Sequence, residues 1–82
     1  MCTMKKKHAL RVWISENNWT VSGFMIAMAG QGARVSQVGL LYQWLAGQRC
    51  PSLHNAVVID ELTGGEITPR ILVEEYNAAN RD

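Results

Sequence analysis

Side chains that could recognise a polar ligand are concentrated between residues 36 and 55. Tyr42 and Gln43 are neighbours, and Arg49 follows them in the short run "GQR". A glutamine amide carries a hydrogen-bond donor and an acceptor side by side, a tyrosine hydroxyl can play either part, and arginine is permanently positive. These residue types suit reversible hydrogen bonding to a polar, anionic ligand.

Residues capable of nucleophilic, acid–base or metal chemistry lack the companions that such chemistry needs. Cys50 has His54 four residues on, but it precedes a proline, and we interpret it as a turn residue beside a helix N-terminus. The adjacent Glu74 and Glu75 would point about 100° apart on a helix, which does not suit an acid–base pair. His8 and His54 lack the cysteine or acidic neighbours of a zinc site. We therefore expect no enzyme activity, no metal and no cofactor.

Charge is divided unevenly along the chain. Residues 1–59 contain six lysines and arginines and one acid, whereas residues 60–82 contain two arginines and six acids. A basic front half with an acidic rear half is typical of proteins that present one face to a polyanion.

Length and composition indicate one small folded domain covering residues 1–82. Hydrophobic residues make up 48% of the chain and charged residues 18%, which argues against intrinsic disorder. The longest uncharged run, 17–33, is too polar and too interrupted by glycines for a membrane span. The basic start is not followed by an apolar segment with a cleavage site, and two cysteines do not make a disulfide framework. We expect a cytoplasmic location.

Apolar spacing and capping residues predict five helices and no sheet. The predicted helices cover Lys5–Asn17, Val21 to about Ala29, Ser36–Ala46, the stretch between Ser52 and Gly64, and about 69–79. Their predicted N-caps, from the second helix onward, are Thr20 or Ser22, Ser36, Ser52, and Thr68 before Pro69. The second helix is apolar on nearly every side and is expected to be the most buried. The expected apolar face of the fourth comprises Leu53, Ala56, Val57 and Leu62.

The third helix has two distinct sides. Leu41, Trp44 and Leu45 fall on one apolar stripe, which should face the core. The opposite side carries Gly39, Tyr42, Gln43 and Ala46. Gly47 is expected to end the helix, because glycine adopts a left-handed conformation at low cost.

The run from Ser36 to Thr68 resembles the Cro and CI repressors of phages, and more specifically the YdaS-like, Cro-like antitoxin family. The resemblance rests on the spacing of Leu41 and Trp44, the turn with Gly47 and Arg49, the helix beginning "PSLHNAV" and the exit "LTGGEIT". It spans roughly residues 20–72. It implies an all-α, five-helix, lambda-repressor-like helix-turn-helix domain, with the helix-turn-helix at about 20–49 and a C-terminal helix at about 69–79.

The resemblance also implies a role for individual residues. The third helix would lie in the major groove of DNA and read base edges with Gln37, Gly39, Tyr42 and Gln43. Helix N-termini and basic side chains would bind phosphates. The expected phosphate contacts are Thr20, Ser22, Ser36, Arg49, Ser52 and Asn55.

One position departs from the family pattern. A glycine usually precedes the hydrophobic–Ser/Thr pair that opens the recognition helix, but here Arg34 precedes Val35 and Ser36. Anchoring the alignment on Trp44 keeps Leu41 inward and Gln43 outward. This choice predicts a longer turn than usual before the helix.

Two functions follow from these features. In the first, the protein is a transcriptional regulator that binds a double-stranded DNA operator as a homodimer. In the alternative, it is a protein-interaction module, such as an antitoxin, that docks a toxin or another protein with its acidic C-terminal half and binds DNA weakly or not at all. In the last helix, Ile71, Leu72 and Tyr76 could either close the core or form a dimer contact.

Overall fold

Five α-helices make up the computed structural model, which describes residues 8–80. They are α1 (Ala9–Glu16), α2 (Val21–Gly30), α3 (Val38–Leu45), α4 (Leu53–Leu62) and α5 (Pro69–Ala79). Residues 8–80 contain no β-strand, which confirms the predicted all-helical class. No helix in this range has the length and apolar character needed to cross a membrane.

Side-chain caps fix the starts of four helices. His8, Thr20, Ser52 and Thr68 each accept a hydrogen bond from a backbone N–H in the first turn of α1, α2, α4 and α5. These caps satisfy donors that the start of a helix leaves unpaired. The structure confirms the predicted caps Ser52 and Thr68, and it selects Thr20 over Ser22 for α2.

The first helix starts later than predicted. Its first residue is Ala9 instead of Lys5, because His8 is non-helical (φ −57°, ψ 138°) and serves as the N-cap. Residues 5–7 lie outside the described part of the chain. The expected exit of α1 is confirmed, since Asn17 is its C-cap.

Four helices end in the same left-handed turn. Asn18, Gly32, Gly47 and Gly64 have positive φ and follow α1, α2, α3 and α4 respectively. After each of them, the next N–H bonds the carbonyl five residues back, as in the bonds from Trp19 to Ile14, Ala33 to Met28, Gln48 to Gln43 and Gly65 to Asp60. This is the Schellman arrangement, which satisfies carbonyls that the end of a helix leaves free. The predicted stops at Gly47 and Gly64 are confirmed.

The hydrophobic core lies where the five helices meet. α2 packs against α3 and α4, and α5 packs against α4 and α1. Each helix contributes at least one fully buried side chain: Leu10, Phe24, Met28, Leu41, Ile59 and Leu72. The burial of Leu72 shows that α5 closes the core.

Of two expectations about apolar faces, one is wrong and the other is wrong in part. α2 is not the most buried helix, since it has two buried residues whereas α4 has four. In α4, the prediction holds for the buried Ala56 and the half-buried Leu62, but Leu53 and Val57 are 74% and 43% exposed, and Val58 and Ile59 are buried instead. α4 packs against both α2 and α5, so the positions of its neighbours decide which of its apolar residues are covered.

Two acidic side chains of the C-terminal half hold α1 in place. The Glu75 Oε1 accepts a hydrogen bond from the Ala9 N–H at 2.8 Å, and the Glu66 Oε2 accepts one from the Trp13 Nε1–H at 3.1 Å. Carboxylate acceptors make stronger hydrogen bonds than neutral ones. Two acids of the C-terminal half therefore make hydrogen bonds within the molecule.

Acidification below about pH 6.5 is expected to weaken the fold through His8. Its Nδ1 accepts a hydrogen bond from the Leu10 N–H at 3.1 Å, so that nitrogen must be unprotonated. Burial lowers the pKa of His8, and the nearby Glu75 carboxylate offsets part of this effect. Because the unfolded chain takes up the proton first, stability that is present above about pH 6.5 is lost as the pH falls through the lowered pKa.

Urea unfolding at about pH 7.5 and about pH 5.5 measures this loss. The control is His8→Asn, because asparagine is a good N-cap that does not titrate. The wild type should lose more stability than His8→Asn over this interval. Equal losses in the two proteins would contradict the assignment to His8.

Candidate nucleic-acid interface

α3 presents a mixed face of polar and small residues to solvent. Tyr42 is 48% exposed, Gly39 and Ala46 are exposed, and Gln43 is half-buried. On the other side, Leu41 and Trp44 are buried in the core, where they fix the rotation of the helix about its axis. The predicted division of α3 into an inner and an outer side is therefore present, with Gln43 at the boundary.

α3 starts one residue later than the predicted cap implies. Its N-cap is Gln37 instead of Ser36, and the Gln37 side chain makes no capping hydrogen bond. The chain stays extended there (φ −137°, ψ 136°), after the buried Val35. The burial of Val35 fixes the path of the chain immediately before Ser36. Ser36 and Gln37 are both exposed, in the connection just before α3.

The α2–α3 turn (residues 31–37) is fastened to the first turn of α4. The Asn55 Oδ1 accepts a hydrogen bond from the Arg34 N–H at 2.8 Å, and the Asn55 Nδ2 donates one to the Arg34 carbonyl at 3.4 Å. The His54 Nε2 lies 2.7 Å from the Gly32 carbonyl oxygen. These contacts fix the path of the chain into α3.

The position of Asn55 corrects one sequence prediction. Its side chain is only 4% exposed, and both ends of its amide are bonded to Arg34. A buried amide with satisfied partners cannot also bind a phosphate in solvent. Asn55 shapes the α2–α3 turn instead.

The α3–α4 turn (residues 46–52) is fastened to the end of α5. Gly47 is buried with φ +78°, and its carbonyl accepts a hydrogen bond from the Asn80 Nδ2 at 2.8 Å. A Cβ at Gly47 would overlap the Cβ of Ala79. The Arg49 N–H donates to the Gln43 carbonyl at 3.3 Å, which ties the backbone of Arg49 to α3. Its side chain is exposed.

The remaining predicted phosphate contacts lie at two helix N-termini. At α2, the Thr20 Oγ1 accepts a hydrogen bond from the Gly23 N–H at 2.9 Å, while Ser22 is exposed. At α4, the Ser52 Oγ accepts one from the Asn55 N–H at 3.4 Å. α2 has ten residues, so its N-terminus is about 15 Å from the α2–α3 turn. Ser52, by contrast, is in the same turn as Arg49.

Basic side chains stand on both sides of α3. Arg34 precedes the helix by four residues and Arg49 follows it by four, and both are exposed. Within residues 8–80 the salt bridge is Arg70–Glu74 on α5, so neither guanidinium beside α3 is paired there. Arg34 was not among the predicted phosphate contacts, although it is a basic residue at a place where the family pattern has glycine.

Two observations bear on thiol and metal chemistry within the described residues. Partial burial raises the pKa of the Cys50 thiol. A raised pKa keeps the thiol protonated near neutral pH, which disfavours a nucleophilic role. Residues 8–80 contain no group of three or more His, Cys, Asp or Glu side chains that could hold a metal ion.

Comparison with known proteins assigns no family. No protein-family model matches the chain, and no curated protein or solved structure matches it either.

Proposed function

We propose that the protein is a sequence-specific DNA-binding transcriptional regulator, with α2 and α3 as a helix-turn-helix of the Cro/CI type. The observation that carries this proposal is the outer face of α3. It combines Tyr42, Gln43 and two small residues with an exposed arginine before and after the helix. A helix with such a face can enter the major groove of duplex DNA. The protein would act in the cytoplasm.

The polar side chains of this face suit base recognition. The amides of Gln37 and Gln43 can each bond N6 and N7 of adenine, and Tyr42 can contact a phosphate or a thymine methyl group. A Cβ at Gly39 would meet no atom within 4 Å, so this part of α3 lies open. The missing side chain allows the backbone to come close to the DNA.

Backbone contacts would hold α3 in the groove. Arg49 can bind a phosphate next to the C-terminal end of α3, and Ser52 offers a hydroxyl in the same turn. Thr20 and Ser22 sit at the N-terminus of α2, where the helix dipole favours an anion. A domain this small covers a modest area of DNA, so we propose that two copies bind a two-fold-related operator.

Fluorescence anisotropy with labelled duplexes tests the proposal. The duplexes are the DNA upstream of the protein's own gene and a scrambled version, titrated over a salt series. We expect Gln43→Ala to weaken binding to the upstream duplex by about 5- to 150-fold, the equivalent of about 1–3 kcal/mol. We expect Arg49→Ala to weaken binding to both duplexes and to lower the slope of log K against log salt by about one.

Arg70→Ala is the matched control, because it removes the same charge from the Arg70–Glu74 pair on α5. Its binding should equal that of the wild type. Weak binding of the wild type to both duplexes alike, without dependence on Gln43 or Arg49, would reject recognition of that operator by α3.

The alternative is a protein-interaction module, and the surface of α4 and α5 favours it. Leu53, Val57 and Val73 are exposed apolar side chains, and Glu61 is an exposed acid. Under this alternative, a toxin or another protein would bind this surface. Alanine at Gln43 and Arg49 should then leave binding of the protein partner unchanged.

A further inference from the structure

Arg34 is held differently from an ordinary exposed arginine. Its side chain is exposed, but its backbone N–H and carbonyl are both bonded to the single buried amide of Asn55. An arginine whose backbone is fixed loses less conformational entropy when its guanidinium binds a ligand. The positively charged side chain of Arg34 thus extends from a backbone position that is fixed just before α3.

We propose that Arg34 binds a DNA phosphate at the entry of α3, as Arg49 does at its exit, and that Asn55 is the positioning residue for Arg34. This inference rests on the proposed function and adds a second phosphate contact to it. The ligand is a phosphate of the duplex backbone, so the contact contributes to affinity on any sequence and carries no base preference.

The spacing of the two arginines fits a duplex. α3 has eight residues and is about 12 Å long, so it is short enough to lie in the major groove. Arg34 and Arg49 flank the two ends of this helix at equal distances along the chain. With α3 in the groove, each guanidinium would lie beyond one end of the helix, where it can reach a backbone phosphate.

Two further contacts make the α2–α3 turn a fixed platform. Val35, next to Arg34, is buried in the core, and the carbonyl of Gly32 lies 2.7 Å from the His54 Nε2. The turn is thus held on both sides of Arg34. α4 has no acidic residue in its first turn, and within residues 8–80 Arg34 forms no salt bridge, so its charge is available for a phosphate.

The test is the salt dependence of DNA binding, measured for wild type, Arg34→Ala, Arg34→Lys and Arg70→Ala with the scrambled duplex. Each phosphate contact contributes about 0.9 to the slope of log K against log salt. Arg34→Ala should lower the slope by about 0.9, so that its loss of affinity is about threefold greater at about 50 mM than at about 200 mM salt. Arg34→Lys should retain most of the slope, and Arg70→Ala all of it.

Amide hydrogen exchange tests the positioning role of Asn55 on the folded wild type. The Arg34 N–H should exchange more slowly than the N–H of Ser36, because Asn55 accepts a hydrogen bond from the former. In an Asn55→Ala background, Arg34→Ala should change the salt slope by clearly less than 0.9. Equal exchange of the two amides would overturn the positioning role, whether or not Asn55→Ala folds.

The outcomes separate this inference from the proposed function. If the wild type binds duplex DNA and Arg34→Ala keeps the wild-type slope, Arg34 is not a phosphate contact and the inference is wrong. If the wild type binds no duplex at any salt concentration, the proposed function itself is wrong.

Discussion

Replacing Gly47 with alanine is expected to destabilise the fold by about 2–5 kcal/mol. Gly47 has φ +78°, a left-handed conformation that costs other residues about 1–2 kcal/mol. The added Cβ would also overlap the Cβ of Ala79, and overpacking of this kind costs about 1–3 kcal/mol. A domain of this length has a total stability of about 4–12 kcal/mol. The variant should therefore melt far below the wild type. Under the proposed function it should also bind DNA poorly, because Gly47 lies in the turn that carries Arg49.

Two variants separate the backbone strain from the overlap. Gly64→Ala introduces a similar left-handed strain, at φ +65°, where a Cβ would meet nothing within 4 Å. The double variant Gly47→Ala/Ala79→Gly removes the Cβ of Ala79, with which the added Cβ at position 47 would overlap. Urea unfolding should show the largest loss for Gly47→Ala and a smaller loss for Gly64→Ala, with partial recovery in the double variant.

If Gly47→Ala and Gly64→Ala are equally destabilised, the Cβ of Ala79 does not lie as close to Gly47 as the structure places it.

Replacing Phe24 with alanine is expected to cost about 3–5 kcal/mol. Phe24 is fully buried in α2, and its ring meets Trp13 and Trp19 edge-on, with both centroid distances at 5.8 Å. Such aromatic pairs add about 0.5–1.5 kcal/mol beyond the burial of area. Removing the ring leaves a cavity between α1 and α2 that neighbouring groups can fill only in part.

Ile26→Ala is the control for Phe24→Ala, since it shortens an apolar side chain of the same helix at a position that is 65% exposed. Its stability should stay within about 0.5 kcal/mol of the wild type. Chemical unfolding followed by tryptophan fluorescence measures both variants. A loss below about 1 kcal/mol for Phe24→Ala would be incompatible with a ring enclosed by two tryptophans.

Local signals in the sequence were sufficient to predict the five helices and most of the residues at which they end. Ser52 and Thr68 cap their helices as predicted, because a capping side chain bonds backbone groups only two or three residues away. The left-handed turn at Gly47 is equally local. The contact of Trp19, just before the cap Thr20, with Phe24 in the first turns of α2 is local in the same sense.

The parts of the site that depend on distant residues were not predictable in this way. The start of α3 was predicted at Ser36, but the chain remains extended up to Gln37 because Val35 is drawn into the core and Asn55, twenty-one residues from Arg34, holds the turn. A hydrogen-bond partner so distant in the sequence produces no periodic pattern in the residues of the turn, so this contact could not be predicted from them. The assignment of Asn55 to phosphate binding failed for the same reason.

The sequence by itself determined the number of helices, the inner and outer sides of α3 and the caps of α4 and α5, because these depend on spacing and on hydrogen bonds within a few residues. Only the tertiary structure decided which face of α4 is buried, that α5 closes the core through Leu72, and that Arg34 is presented beside α3. These features depend on which elements pack together. Packing follows from the shape and position of neighbours, which local periodicity does not encode.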